Sequence, residues 1–323
     1  MLKLGTQDIS ALYLGETKIK RAYLGETLVF EEGTPYEAGV DWWEMAMPSG
    51  RWTSVTYGNG KFIAVAGGNS DKAAYSIDGF NWTAMVMPLP RLWASITYGN
   101  DKFVVVGKGD VAYSTDGIKW TAVNAMPSTW YWASVTYGNG KFVAVSSSSN
   151  KAAYSTDGIN WTVVEMPSGV RCNSVVYGNE KFVAISNDYG SKAAYSINGI
   201  DWTETVMPSS RNWKSVTYGN GKFVAVANNS SKAAYSIDGI DWTETVMPST
   251  WYWRSVTYGN GKFVVVSSSL NKAAYSTDGI NWMEATLPLS GSWCIVTCGD
   301  NKFVVLSENT SKAAYSSDYG PPV

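Results

Sequence analysis

Histidine is absent from this 323-residue chain, cysteine occurs three times, and charged residues make up only 16% of it. Without histidine the chain cannot assemble a Ser-His-Asp or Cys-His catalytic group or a histidine-ligated zinc. Cys172, Cys294 and Cys298 are odd in number and stand at no metal-ligand spacing, so they read as packing thiols. Twenty-five basic against 27 acidic residues leave a net charge of −2 with no basic block, which argues against a surface that tracks nucleic-acid phosphates. No apolar run approaches a membrane span. The start, Met1-Leu2-Lys3-Leu4-Gly5-Thr6-Gln7-Asp8, lacks the apolar core of a signal peptide. The expectation is a chain made in the bacterial cytoplasm without a cleaved leader, with no membrane insertion and no cofactor.

What is abundant is aromatic and turn-forming: 16 Trp, 20 Tyr and 31 Gly. They fall into a repeat. The phrase Ser-Val-Thr-Tyr-Gly-Asn-Gly-Lys-Phe recurs with its Tyr position at Tyr57, Tyr98, Tyr137, Tyr177, Tyr218, Tyr258 and Cys298. A second phrase, Ala-Tyr-Ser-Thr-Asp-Gly-Ile-Asn-Trp, follows with its Trp at Trp82, Trp120, Trp161, Trp202, Trp242 and Trp282, spaced by 38 to 41 residues. The seventh copy breaks off at Ser316-Ser317-Asp318-Tyr319-Gly320. Its missing last strand stands near the other end, where Gly39-Val40-Asp41-Trp42-Trp43-Glu44 matches Gly199-Ile200-Asp201-Trp202-Thr203-Glu204.

Each unit carries signals for four short strands, in the first unit Ser54 to Tyr57, Lys61 to Ala66, Lys72 to Ser76 and Trp82 to Met87. Asn59-Gly60, Asn139-Gly140, Asn220-Gly221 and Asn260-Gly261 suit a type I′ hairpin, whose two central residues take positive φ. Runs such as Phe142-Val143-Ala144-Val145 are apolar on both faces, as in a sheet covered on both sides. Seven four-stranded units with offset ends predict an all-β seven-bladed β-propeller over residues 39–323, closed by an N-terminal strand that completes the last blade. A linear solenoid would not bring residue 42 beside residue 320.

Ser76-Ile77-Asp78-Gly79-Phe80-Asn81-Trp82 and its copies resemble the Asp-box (BNR) repeat of sialidase-like propellers, one residue shorter between Asp and Gly, while Ser316-Ser317-Asp318-Tyr319-Gly320 has the longer spacing. The motif is a turn device. Its Ser and Asp bond the turn backbone, Gly permits the tight φ, and Trp packs between blades.

Comparison of the copies with one another points to a working face. The hairpin turns and Asp-boxes barely change, whereas the second-to-third and fourth-to-first connections, which share the other rim, do. Two residues before the first-strand Ser (or Ile295) come Trp52, Trp93, Trp132, Cys172, Trp213, Trp253 and Trp293; one before come Thr53, Ala94, Ala133, Asn173, Lys214, Arg254 and Cys294. Five of the six Arg, namely Arg51, Arg91, Arg171, Arg211 and Arg254, fall in this region beside the clusters Trp130-Tyr131-Trp132 and Trp251-Tyr252-Trp253. Aromatics mixed with Arg, Asn and Ser compose a recognition surface. The uniform Trp set, Trp52, Trp93, Trp132, Trp213, Trp253 and Trp293, is open to two readings, inter-blade packing and ligand contact. Asn187-Asp188-Tyr189-Gly190 and Ala227-Asn228-Asn229-Ser230 are further contributors.

Residues 1–32 lie outside the repeat. Tyr13-Leu14-Gly15-Glu16-Thr17 returns as Tyr23-Leu24-Gly25-Glu26-Thr27 before Leu28-Val29-Phe30, a small β meander, with 33–38 as linker. This segment is similar to the N-terminal segment of tail proteins from phages of Gram-positive bacteria. The resemblance implies attachment to other tail or virion subunits. The function expected is a non-catalytic phage tail or receptor-binding component recognising a surface carbohydrate or cell-wall polymer. The alternatives are a protein-binding scaffold, a structural tail ring and, last, a sialidase-like glycosidase, for which the Arg-Ile-Pro segment and a lone rim carboxylate pair are missing.

Overall fold

The computed structural model describes residues 36–123, 126, 130–186, 188, 190–308 and 310–318, together with the backbone of six short strands between residues 3 and 31. Among these residues the regular structure is entirely β. Seven four-stranded antiparallel sheets follow one another, one for each repeat. Blade 1 consists of Trp52–Gly58, Lys61–Ala66, Ser70–Ser76 and Thr83–Arg91 from the inner strand outward. Blade 7 consists of Trp293–Gly299, Lys302–Ser307 and Thr310–Ser317, and takes Trp43–Gly50 as its outer strand, with Ala313 opposite Met45. The inner strand of blade 7 packs against that of blade 1, so the chain is a closed seven-bladed β-propeller and not a solenoid.

The closure is more intimate than the sequence suggested. In blade 3 the Ser155 Oγ accepts from the Gly158 N–H at 2.8 Å, and Asp157 Oδ1 accepts from the N–H groups of Ile159 and Asn160 at 2.8 Å each. In blade 7 the same turn is split between the two ends of the propeller. Ser316 Oγ accepts from Gly39 N–H and Asp318 Oδ1 from Ala38 N–H, both at 2.7 Å. Gly39, with φ +86°, occupies the place of the turn glycine; Tyr319 and Gly320, on which the longer spacing was read, lie outside the described residues. Ala38, assigned to the linker from sequence, is fully buried and belongs to the ring.

Packing follows from residues alternating between two neighbours. In the second strand of blade 1, Phe62, Ala64 and Ala66 join the core shared with blade 7, whereas Ile63 and Val65 join the core shared with blade 2. Each tyrosine of the Tyr-Gly pair lies on the glycine of the preceding blade. A Cβ on Gly138 would stand 1.9 Å from Tyr177 Cγ, so only glycine fits there. The motif tryptophans pack at these same interfaces, as expected.

Before the ring, Lys3–Leu4 pairs with Gln7–Asp8, Leu12–Leu14 with Thr17–Ile19, and Arg21–Leu24 with Thr27–Glu31. These antiparallel hairpins lie in the stretch read from sequence as a small β meander. Residues 33–35 of the linker, and Asn187 and Tyr189, lie outside the described residues.

Candidate functional site

Every inner strand carries a β-bulge at the same place. In blade 1 Trp52 pairs with Ala66 and Ser54 with Val65, leaving Thr53 as the extra residue; the register shifts identically in the other six blades. Residues two apart on a regular strand share a face, but the bulge breaks that parity. The Trp therefore faces the preceding blade and the Ser faces the following one. Ser54 Oγ accepts from Ile96 N–H at 3.1 Å, and Ser95, Ser134, Ser174, Ser215 and Ser255 repeat the bond at 3.1–3.2 Å. These bonds make a belt joining one blade to the next. Ile295 stands where the seventh serine would be, at the seam with blade 1.

The serine belt and the bulge residues Thr53, Ala94, Ala133, Asn173, Lys214, Arg254 and Cys294 form two stacked rings around a cavity of about 270 Å³ at the mouth of the central channel, with Tyr131 and Ser147 at its edge. The connections of the variable face frame it. Gly67, Lys108, Ser147, Asn228, Ser268 and Glu308, each just past a second strand, donate their N–H to the carbonyls of Arg51, Leu92, Tyr131, Asn212, Tyr252 and Ser292, and so fasten the two variable connections of a blade to each other. The opposite rim holds the turns. There Asn139 and Asn179 Nδ2 donate to the Ile197 and Ile237 carbonyls of the next blade at 3.2 and 3.1 Å.

The bulge ring is asymmetric. Blades 1 to 3 contribute Thr53, Ala94 and Ala133; blades 4 to 6 contribute Asn173, Lys214 and Arg254. Asn173 Nδ2 donates to the Lys214 carbonyl at 2.9 Å. Arg254 Nη2 lies 3.2 Å from Glu308 Oε2, and Arg51 Nε lies 3.2 Å from Oε1 of the same carboxylate, so one acid is shared by two arginines. Burial pushes the Lys214 ammonium below the ordinary lysine value and Arg254 adds to that, while Glu308 opposes it. Burial raises the Tyr131 phenol, against the pull of Arg51. Cys294 donates to the Trp52 and Leu306 carbonyls at 3.1 and 3.3 Å, and its thiol is pushed up to about 12, chiefly by burial. Among the described residues no group of Cys, Asp and Glu is placed to hold a metal ion.

Of the residues singled out from sequence, the structure brings Tyr131 and Arg254 into the cavity lining, and Arg51 joins Arg254 on Glu308. Trp52, Trp93, Trp132, Trp213, Trp253 and Trp293 are 0–1% exposed, which corrects the ligand-contact reading: the bulge turns them into the blade interfaces. Trp130 and Trp251 keep part of their surface exposed. Both are half-buried against interface cores, beneath Lys151 and Lys272 ammonium groups 5.7 Å from their ring centroids. Tyr252 remains 46% exposed. Arg91 pairs with Asp110 at 2.7 Å and Arg211 with Glu244 at 3.6 Å, outside the cavity lining; Arg171 is exposed there as well. Lys214, Asn173 and Glu308 were not singled out. Lys214 and Asn173 stood in the variable column one residue before the serine, the signal that could have found them.

No protein-family model matches the chain, and no curated protein matches it in sequence. Solved structures are similar in fold. A streptogramin B lyase superposes with a TM-score of 0.77 at 12% identity, over 85% of this chain and 97% of that one. A catalytically inactive histidine-to-alanine variant of virginiamycin B lyase from Staphylococcus aureus, with quinupristin, gives 0.77 at 14% identity, over 85% and 99%. YCF48 bound to D1 peptide gives 0.70 at 14% identity, over 88% and 98%. At these identities the likeness concerns the fold alone.

Proposed function

We propose that the chain is a non-catalytic binding propeller, a phage tail or receptor-binding component that takes a bacterial surface carbohydrate at the channel mouth, with residues 1–32 as its attachment to other tail subunits and the virion as its location. One observation carries the reading. Seven bulges in a nearly invariant scaffold aim residues of six different types at one cavity, and variation gathered around a cavity suits ligand recognition better than packing. Polar rings with Tyr131 at the edge and Tyr252 exposed nearby suit polyhydroxylated ligands. The asymmetry of the bulge ring favours one composite site over seven shallow ones.

The same groups speak against catalysis. The lyase variant is inactive with one histidine replaced, and this chain has no histidine. Glu308 is a single carboxylate clamped by two arginines, the Cys294 thiol is held protonated, and no hydrogen bond joins the Lys214 ammonium to a serine among the described residues. A protein-binding or structural ring is the second reading. It is favoured by Val86, Val206 and Val246, which stand 60–68% exposed at one repeated place on the outer strands, and the neighbour YCF48 engages a peptide.

The test is adsorption of the purified chain to host cell walls and to isolated cell-wall polysaccharide, beside the Tyr131→Ala/Tyr252→Ala variant. Binding to the polysaccharide without turnover, weakened at least tenfold in the variant, is expected. Adsorption that protease treatment of the walls abolishes would transfer the assignment to the second reading.

A further inference from the structure

The charge at the channel mouth says more about the ligand, on the premise that the mouth is the binding site. Alanine fills the bulge position in blades 2 and 3, where Ser95 and Ser134 still make their belt bonds at 3.1 Å. The scaffold therefore has no need of a cation there. Blades 5 and 6 nevertheless place Lys214 and Arg254 side by side on the wall of the cavity. The only carboxylate acting on both among the described residues is Glu308, already shared by Arg254 and Arg51 at 3.2 Å each. Three cations thus surround one acid, and among the described residues no carboxylate lies within ion-pair distance of Lys214. Partly buried cations that outnumber their acid and are not structurally required are unfavourable in the empty site, and an incoming anion relieves them. The opposite arc of Thr53, Ala94 and Ala133 is small and leaves the space. The volume of about 270 Å³ sits near the lower end of small-molecule sites, room for one sugar-sized group at the end or on a branch of a polymer. Beside the cations, Asn173 Oδ1 is buried without a hydrogen-bond partner among the described residues and can accept from a ligand hydroxyl.

We infer that the channel mouth binds an oxyanion, a carboxylate or a phosphodiester, carried on a sugar or polyol, with Lys214 and Arg254 as its ligating cations. An arginine at such a site offers a planar fork to two oxygens, and the lysine adds a point charge. A neutral glycan, by contrast, would leave both cations unanswered.

The test uses the full chain and three probes: polyglycerol phosphate, an oligosaccharide of uronic acids and a neutral oligosaccharide of glucose. Binding of a charged probe at least tenfold tighter than of the neutral one is expected, weakening as salt is raised from about 50 to about 300 mM, in the way of a screened ion pair (~10 Å Debye length at 0.1 M). Lys214→Gln and Arg254→Gln should each lower that affinity about tenfold or more, while Lys214→Arg keeps it. Which charged probe binds distinguishes phosphate from carboxylate. Equal binding of charged and neutral probes, or affinity indifferent to salt, overturns the anion assignment and leaves the carbohydrate reading standing. Failure of all three probes, and of host polysaccharide with them, sinks both. The salt dependence of the unaltered chain decides the matter even if a variant folds poorly.

Discussion

Asp157 and Asp278 show how a single residue can hold a turn and make it sensitive to acid. Burial opposes their ionisation, but hydrogen bonds from the N–H groups two and three residues on, from the Asn amide and from the Ser hydroxyl outweigh it, and the carboxyls are held well below the usual carboxylate range. A carboxyl whose folded pKa is depressed stabilises the fold fully above its unfolded value of about 4. That contribution is lost as pH falls from there towards the folded value. The melting temperature should accordingly be flat from about pH 7 to 5 and fall steadily towards about pH 2. Blade 4 supplies its own control, because Asn198 Oδ1 accepts from Ile200 and Asp201 N–H at 2.8 and 2.9 Å and does not titrate. The double variant Asp157→Asn/Asp278→Asn should lose about 1 kcal/mol per site at neutral pH, the difference between charged and neutral hydrogen bonds, and show a shallower acid limb in calorimetry. The Ser-x-Asp-Gly spacing was legible in sequence because all its bonds are local. The burial of Trp130 and Trp251 was not, because their cover comes from residues of a neighbouring strand and blade.

At the scale of the element, the hairpin turns divide into two kinds. Gly60, Gly140, Gly221 and Gly261 take φ between +69° and +73° without strain, whereas Asp101, Glu180 and Asn301 hold the same position at +56°, +59° and +55°. Left-handed backbone costs a residue with a Cβ about 1–2 kcal/mol, offset in part by the greater entropy that glycine has in the unfolded chain. Glu180→Gly should raise stability by about 0.5–1 kcal/mol, seen as a higher denaturant midpoint at unchanged slope. An unchanged or lowered midpoint would show that the Glu180 side chain compensates. The turns were read from Asn-Gly dipeptides alone. The bulge was hidden for the opposite reason: it occurs in all seven inner strands, so no copy without it exists for comparison. The parity of Trp52, Thr53 and Ser54 then looks like that of an ordinary strand end.

For the whole molecule, ring closure rests on one strand and one split turn. Trp43–Gly50 covers the edge of Thr310–Ser317, and Ala38 and Gly39 complete the turn at Ser316 and Asp318. Removing residues 36–50 together with all that precede them would uncover that edge and open the interface of blades 7 and 1, where Met45 and Met47 pack on Trp52 and Phe62. The expected result is a melting transition lowered by more than about 10 °C and broadened, with association visible in light scattering; a truncation ending at residue 35 is the control. A truncated ring that melts as sharply as the full one would show that the remaining six interfaces carry the cooperativity.

The number of blades, their four strands, the turns and the circular offset were all written in the sequence, because each is a local or periodic feature and survives being read one unit at a time. The working residues depended on the tertiary structure. Asn173, Lys214 and Arg254 belong to three different blades and converge only when bulged strands turn one residue each towards a common axis, where Glu308 of a fourth blade meets Arg254. Six tryptophans that the sequence left open between packing and contact are withdrawn into the interfaces by the same bulge. Periodicity specifies which face of a strand a residue takes. A one-residue bulge, stabilised by bonds to the next blade, decides which of those residues meet.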